Sequence, residues 1–562
     1  MGADDSISER TAVREGLATP EEIQKMTFAK TPKEVLRIRT IIVAGAGSAL
    51  LTASSLYIAL RMGALPWPSI FAALISMAIL KALGNTNLNE INVAHTGMTA
   101  GALLAGGLAF TIPALWMMGY RETPYLQILV GAVAAVLIAC LIVLFIRDYM
   151  IIRLKLPYPI GTATFLTLKT GDVGGKKFYT LITWILIAGV IVALRDLLGV
   201  IPATIVFGGL VMHNILLGIG IFPMATGIGY IIGLLYMGTW FIGAILSYLI
   251  IIPISTNVLG YSLDSALAFT RSLGIGLIIG GGVAIIIKSL IDYLKRTKIS
   301  FVFTAKSSEN RGVLRLLFIT SVIIILILPL FNVMNIYLAA IAILGVMVTS
   351  IMAATLTGQT GIDPMEIFGI LILLFAMAII KGISPVEAVL LVMFIAITTG
   401  IVGDVFNDLK AGYLLETPVR KQVFSELIGG LVGAVVGLLT LYMLVSVYGL
   451  EAFGPDKFFV APQAYAVSIM IKGIPNLTGF LSGVIIGLVL GLLGVPAMTL
   501  GIGVYLPMII SVPALIGGLA RVYIDKRHPK YSEYGIIAGS GLLGGEGITG
   551  VIISLIYFIM GR

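Results

Sequence analysis

Apolar stretches of about 20 residues, long enough to cross the hydrocarbon core of a membrane, recur along nearly the whole chain. Residues 124–146 and 427–447 are two clear examples. Hydrophobic residues make up 59% of the chain and charged residues only 11%, whereas soluble domains carry about 25% charged residues. The short alternating segments of a membrane β-barrel are absent from the sequence. The chain is therefore predicted to be an all-α, polytopic transmembrane helical bundle, a multi-pass protein of the cell membrane.

Basic loops divide the apolar stretches into groups of about four. The expected spans lie roughly at 38–63, 66–84, 95–118, 124–146, 178–198, 201–221, 226–254, 263–291, 316–331, 333–356, 366–383 and 385–403. The last quarter is less regular, since residues 463–475 are too short to span, and roughly 14 to 17 spans are expected in total.

Lys and Arg outnumber Asp and Glu in the loops at 147–177, 292–315 and 521–530, and 404–421, which ends in Arg420 and Lys421, is interpreted as a further basic loop. Short positively charged loops stay in the cytoplasm. We therefore expect these loops to face the cytoplasm together with a polar N-terminal tail, residues 1–37.

The chain is expected to consist of two transmembrane halves, residues 38–300 and 301–562. Residues 164–178 and 405–424 share Leu-Lys-small-Gly followed by a basic pair. Such internal repeats are common in secondary transporters.

Composition also excludes several functions. The net charge is +9, but the excess lies in short loops, which favours contact with membrane lipid rather than nucleic acid. The three histidines do not have metal-ligand spacing, and no GxxxxGK[ST] motif is present. Neither a metal nor a cofactor is expected. The single cysteine, Cys140, cannot form an internal disulfide.

The segment "TLTGQTGIDPMEIFGI" (355–370) interrupts apolar sequence with helix breakers. Asp363 fits an N-cap, Pro364 the first helical position and Glu366 the third, which is a capping-box pattern. A helix that starts here would point its positive end at an anionic substrate group. Gln359 and Thr360 would add neutral hydrogen-bonding groups. The alternative is an ordinary capped loop at the membrane surface.

Polar residues also cluster in the segment 85–107. Polar groups at membrane depth usually line a cavity, so five side chains are candidates for substrate binding: Asn89, Glu90, Asn92, His95 and Thr96. The alternative is a polar turn between spans.

A third interrupted stretch, 156–164, is too short to span and suggests a re-entrant segment. The helix-breaking stretches 89–97, 156–164 and 358–366 are expected to converge on one cavity near the membrane midplane. Glu90 would face a substrate amine there.

Asp404 and Asp408 are expected where a span ends, one turn apart on the same helical face. Burial and a neighbouring acid would allow such a carboxylate to take up and release a proton, and Lys410 is placed to neutralise one of them. Asp404 is expected to matter more, because Asp408 would lie nearer the loop. The isolated Glu546 is a reserve candidate for proton coupling. The alternative is that both aspartates cap a cytoplasmic loop.

The stretch "VGDVFNDLKAGYLLETPVRKQVFSELIG" (402–429) resembles the pattern of the oligopeptide transporter family, which includes yellow-stripe-like metal-chelate carriers. Further matches follow in family order, among them "NEINVAHTGMTAGALLAGGLAFTIPAL", "LPYPIGTAT" and "GIIAGSGLLGGEGITG". From about residue 33 onward the chain resembles a prokaryotic-type member of this family. The resemblance implies about 16 helices and proton-coupled uptake of peptides or metal–chelate complexes.

Two departures leave the cargo open. His95 stands where relatives usually have Gln, and "TGQTGIDPMEIFG" replaces a Ser-Asn-rich motif. The favoured interpretation is a secondary active transporter, not an enzyme, that takes up short oligopeptides as small-molecule substrates together with protons. A carrier of siderophore-like or nicotianamine-like metal chelates is the alternative. An uncoupled channel and an intramembrane enzyme are alternatives of other classes, and a homo-oligomer is left open.

Overall fold

The computed structural model describes residues 35–63, 69–170, 175–206, 218–296, 308–360 and 363–561. The chain is 83% helical, with almost no strand. The predicted class, an all-α polytopic helical bundle, is confirmed. All structural statements below concern this described part.

Within the described ranges, ten α-helices precede residue 300. They are α1 (Ile38–Met62), α2 (Ser69–Ala82), α3 (Leu88–Ala109), α4 (Pro113–Met117), α5 (Tyr125–Arg147), α6 (Pro159–Thr170), α7 (Lys176–Val192), α8 (Pro223–Ile232), α9 (Leu234–Ile245) and α10 (Leu263–Arg296). Short π-helical turns extend α5 over Asp148–Arg153, α7 over Ala193–Leu197 and α9 over Leu246–Ile251, and a further one covers Ile254–Val258.

Ten more α-helices follow. They are α11 (Ser308–Leu330), α12 (Ile336–Thr360), α13 (Met365–Ile379), α14 (Pro385–Leu415), α15 (Val419–Tyr448), α16 (Pro462–Lys472), α17 (Leu477–Leu492), α18 (Ala497–Tyr505), α19 (Met508–Arg527) and α20 (Ser532–Ile559). Two 3₁₀ turns, Leu450–Ala452 and Pro529–Tyr531, complete this half.

Twelve helical stretches of the described chain are long and apolar enough to cross a membrane, and four shorter apolar helices accompany them. A multi-pass membrane protein is therefore confirmed, whereas the expected number of about 16 spans stays a prediction. The short helix α6 agrees with the expectation that residues 156–164 do not span.

The expected span at 201–221 is wrong at both of its described ends, and residues 207–217 lie outside the described part of the chain. Thr204–Val206 and Gly218–Gly220 form an antiparallel pair of strands, β1 and β2. Pro202 prevents the preceding helix from continuing, and the β-branched residues of β1 favour extended backbone. The expected span at 226–254 is also divided, because α8 ends and α9 begins at Gly233, whose φ is 94°.

The expected loop at 404–421 is wrong as well. Helix α14 continues without a break to Leu415, and it ends at Glu416, whose φ of 59° is left-handed, just before Pro418. Asp408 and Lys410, which suggested a solvated loop, are each only 1% exposed. Asp408 contacts Thr99 of α3, and Lys410 contacts the Leu156 carbonyl, rather than water.

Residues 89–97 are likewise not a break. Asn87 caps α3 by accepting a hydrogen bond from the Glu90 N–H, and α3 then continues to Ala109. Contacts with other parts of the chain hold the side chains of Asn89, Glu90 and Asn92 in this first part of α3, so the backbone does not need to unwind.

Helices α3 and α14 form the centre of the bundle. Residues 89–109 of α3 are all buried, and so are nearly all residues of α14 between Ala388 and Leu414. Small residues let neighbouring backbones approach: a methyl group at Gly429 of α15 would collide with the Gly97 carbonyl of α3. Because α3 belongs to the first half of the chain and α14 and α15 to the second, the centre lies between the two halves.

Candidate functional site

A buried polar cluster joins α3, α14 and α15, and we call it the central cluster. It consists of His95, Thr96, Thr99, Asp408, Gln422 and Glu426. His95 Nε2 lies 3.7 Å from Asp408 Oδ1, and the Thr99 hydroxyl donates to Asp408 Oδ2 at 2.5 Å. Gln422 Nε2 donates to the Thr96 hydroxyl at 3.1 Å and to the Asp408 carbonyl at 3.0 Å.

Several polar atoms of the central cluster have no hydrogen bond within the described structure. They are both ring nitrogens of His95, Asp408 Oδ1 and both carboxylate oxygens of Glu426. His95, Asp408 and Glu426 are at most 1% exposed. A buried group without a partner costs about 1–3 kcal/mol, so a cluster of several is typical of a site that exchanges protons or ligands rather than of a structural core.

Glycines allow this cluster to form. A side chain at Gly412 would occupy the position of the Gln422 amide, and one at Gly97 would collide with Ser425. The sequence places these glycines where α14 and α3 approach α15, so long polar side chains reach between the helices.

Asn89 and Asn92 contact the turn that follows α14. The Thr417 hydroxyl donates to Asn89 Oδ1 at 2.8 Å and accepts from Asn92 Nδ2 at 3.2 Å. These two predicted substrate residues therefore hold the α14–α15 turn against α3.

Glu90 is fully buried and strongly paired. Arg39 binds it in a bidentate manner, with Nε–Oε1 and Nη2–Oε2 distances of 2.8 and 2.7 Å. The hydroxyls of Thr40 and Thr86 each add a hydrogen bond of 3.0 Å. Arg39 also donates to the Gly84 and Asn85 carbonyls. In this structure Glu90 thus forms part of a clamp between α1 and α3.

Two of the three stretches that were expected to converge do meet, against the middle of α14. The Tyr158 N–H donates to the Gly358 carbonyl at 3.0 Å, and the Tyr158 ring stacks on Phe406 with centroids 5.6 Å apart. Asn407 Oδ1 accepts from the Gly161 N–H at 3.2 Å. The third stretch, in α3, reaches α14 through His95 and Asp408.

Lys410 lies in α14 and contacts the segment that precedes α6. Its ammonium group donates to the Leu156 carbonyl at 3.3 Å, before the start of α6.

The capping pattern at Asp363 is wrong. Helix α13 begins at Met365, and the N-cap position is occupied by Pro364, without a side-chain cap. The Asp363 side chain turns instead toward α14, where a methyl group at Gly403 would collide with Oδ2. Both of its oxygens are buried without a hydrogen-bond partner in the described residues.

The other predicted residues of this segment lie close by in sequence. Glu366, 6% exposed, lies in the first turn of α13. Gln359 and Thr360 end α12, and Asp404 follows Gly403 in α14.

Glu546 lies in a different buried cluster. Arg195 Nη1 donates to Oε1 at 2.9 Å, and the Met224 N–H donates to Oε2 at 2.8 Å. Arg195 also pairs with Asp196.

Sequence reasoning missed four residues: Thr99, Thr357, Gln422 and Glu426. Glu426 carried a signal, because it stands alone in an apolar span just as Glu546 does. The other three are common polar residues whose importance arises from the helices that face them.

Two further observations limit what the functional site can bind and where it can lie. No group of three or more His, Cys, Asp or Glu that could hold a metal ion occurs among the described residues. A surface cavity of about 320 Å³ near Trp116 and Lys472 contains none of the predicted site residues.

A family model described as OPT oligopeptide transporter protein matches residues 35–557. The chain belongs to the OPT oligopeptide transporter family. A protein of Haemophilus influenzae described as "Putative oligopeptide transporter" is 27% identical to it, over 89% of this chain and 92% of that protein. The resemblance drawn from the sequence motifs is thus confirmed, and this member of the OPT family is a membrane transporter.

Proposed function

We propose that this OPT family protein takes up short oligopeptides together with protons, and that the central cluster carries the coupling. The observation that carries the proposal is the buried His95–Asp408 pair at 3.7 Å, with the Glu426 carboxylate beside it on α15. Peptide as cargo is supported by the description of the Haemophilus influenzae relative.

Binding or release of a single proton changes the net charge of the central cluster. His95 lies 3.7 Å from Asp408, and ionised Asp408 and Glu426 would place two negative charges in the same buried site. Buried charges that lack a counter-charge are strongly unfavourable, so proton uptake by Asp408 or Glu426 would neutralise the site. A transporter that alternates between an outward-open and an inward-open state needs such a neutral form of the site.

The residues proposed to bind substrate are those of the α3 and α12–α13 segments: Asn89, Glu90, Asn92, His95, Thr96, Gln359, Thr360, Asp363 and Glu366. A peptide carries an amine and a carboxylate, and Glu90 suits the amine only if Arg39 releases it. Asp404 and Asp408 are proposed to carry the coupling proton. Glu546 remains the reserve candidate, although its pairing with Arg195 favours a structural role.

The test is uptake of labelled short peptides into proteoliposomes under an imposed pH gradient. We expect the wild-type protein to accumulate peptide and Asp408→Asn to lose gradient-driven accumulation down to the level of protein-free vesicles, because Asn cannot be ionised. Exchange of labelled for unlabelled peptide without a gradient should persist in that variant. Thr398→Val is a matched control, since the Thr398 hydroxyl donates only within α14, to the Phe394 carbonyl.

Three results would contradict the proposal. Wild-type uptake that equilibrates but never accumulates would indicate a channel. Uptake of iron or nickel chelates in place of peptides would favour the chelate alternative, with His95 as a ligand. Full accumulation by Asp408→Asn would remove this residue from coupling.

A further inference from the structure

We propose that a second site, formed by Asp363 just before α13, Thr357 of α12 and Asp404 of α14, binds one monovalent cation, either a proton or sodium. This inference rests on the proposed transport function and identifies where the coupling ion is held. We call this site the Gly403 site, because Gly403 provides the space for it.

The first observation is a space beside α14 that stays open only because position 403 is a glycine. A methyl group at Gly403 would collide with Asp363 Oδ2 and would lie 3.0 Å from Thr357 Oγ1. The carboxylate and the hydroxyl therefore face the same point on α14. Asp404 is the next residue along this helix.

The second observation is an unpartnered hydroxyl. Thr349 and Thr355, also in α12, donate to the carbonyl one turn earlier at 2.8 and 2.7 Å. Thr357 is 0% exposed, yet its Oγ1 makes no hydrogen bond in the part of the chain described. Its oxygen thus remains available beside Asp363, whose two oxygens also lack partners.

The third observation is the local charge. Asp404 of α14 and Glu366 of α13 are the charged groups that act on Asp363, and both are negative. From α12, the Thr357 hydroxyl faces the same point as the Asp363 carboxylate. Buried acids so close together favour a shared proton or a bound cation.

The helix ends also favour a cation. Helix α12 ends at Thr360, next to the site, and the carbonyl end of a helix carries partial negative charge. Broken helices of transporters hold sodium ions or protons at such ends. A hydroxyl and carboxylate oxygens are hard ligands that suit sodium, whereas a divalent metal is disfavoured by the lack of a larger ligand group among the described residues.

The experiment measures the thermal stability of the purified full-length protein in sodium, potassium and choline chloride at several pH values. A ligand that binds the folded state raises the unfolding temperature. If the cation is sodium, we expect the unfolding temperature to rise in sodium chloride but not in potassium or choline chloride. If the cation is a proton, we expect the unfolding temperature to be the same in all three salts and to rise as the pH falls. In either case Asp363→Asn should abolish the shift.

Thr357→Val keeps the shape of the side chain and removes one oxygen ligand. We expect it to weaken sodium binding about tenfold, equivalent to about 1.4 kcal/mol, or to reduce the proton-dependent shift. Thr355→Val is the matched control, because that hydroxyl is satisfied within α12. Gly403→Ala fills the site directly, and Gly400→Ala, which would meet only the flexible Met365 side chain, is its control.

A wild-type protein whose stability responds to neither sodium nor pH would overturn the proposal, even if every variant failed to fold. The proposal would also be overturned if sodium or low pH raised the unfolding temperature of Asp363→Asn and Thr357→Val as much as that of the wild type. Peptide exchange across vesicles is measured in parallel. Its absence in the wild type would contradict the proposed transport function but not the cation site.

Discussion

Two buried glutamates show how surroundings decide what a carboxylate does. Glu546 receives hydrogen bonds from Arg195 and the Met224 N–H, so its charge is compensated. Glu426 has no such donor in the described structure, and the charges acting on it are those of Asp404 and Asp408. Sequence alone treats the two alike, because each is one acid in an apolar span. The structure distinguishes a fixed ion pair from a carboxylate that is suited to exchange a proton.

At this scale, Glu546→Gln should destabilise the protein strongly. Removal of one partner leaves the Arg195 charge buried, which costs about 3–5 kcal/mol. Thermal unfolding in detergent measures the effect. The control is Glu533→Gln in the same helix, where the partner Lys177 pairs with a carboxylate that is 54% exposed, so a loss below about 1 kcal/mol is expected. Equal losses in the two variants would disprove the structural role of the Arg195 pair.

Helix α14 is the element on which the candidate sites depend. It carries Gly403 and Asp404 against α12 and α13, Asn407 against α6, and Asp408 against α3. The expectation that a span ended near residue 403 gave Asp408 less weight than Asp404, since it would have been nearer water. That reasoning is wrong, because Asp408 is buried two turns before the helix ends. Both aspartates are therefore candidates of equal standing.

The crossing of α3 and α15 gives a prediction at the scale of elements. Gly429→Ala should destabilise the protein by about 1–3 kcal/mol, because the added methyl group would collide with the Gly97 backbone. It should also disturb transport, since the helices that carry His95 and Glu426 would separate. Gly312→Ala in α11 is the control, as nothing lies within 4 Å of its position. Unchanged stability and uptake in Gly429→Ala would contradict the close packing.

Across the whole molecule, the two halves of the chain meet at the polar centre. The hydrogen bond between Thr99 and Asp408 joins residues 309 positions apart. The pair of Arg195 with Glu546 also joins the two halves, across 351 positions. Transport that moves one half against the other would have to change such contacts, which is how repeat-built transporters alternate access.

Topology can be tested at this scale. Because α14 spans from Pro385 to Leu415, the exposed residues Lys381 and Lys421 should lie on opposite membrane faces. In a Cys140→Ser background, we expect Lys421→Cys to be protected from an impermeant thiol reagent in intact cells and Lys381→Cys to react. This follows from the basic loops that place the N-terminal tail in the cytoplasm. Labelling of both cysteines from one side would contradict the continuous α14.

The sequence by itself determined the membrane class, the family and the position of the most apolar helices, such as α5 and α15. Hydropathy is a local property, so each span can be recognised without knowledge of its neighbours. The motifs around Asp404 and Thr417 are also local and were enough to indicate the family.

Only the tertiary structure decided where polar helices end and which side chains meet. Local pattern predicted a loop at 404–421 and an N-cap at Asp363, because charged and turn-forming residues usually contact water. In the folded chain His95, Thr99 and Gln422 surround Asp408, and Asp363 turns toward Gly403. The partners of these groups are distant in sequence. Because the groups are buried against those partners, the chain can remain helical where the sequence predicted a break. The pairing of polar groups across helices is a property of the assembled bundle, and no single segment contains it.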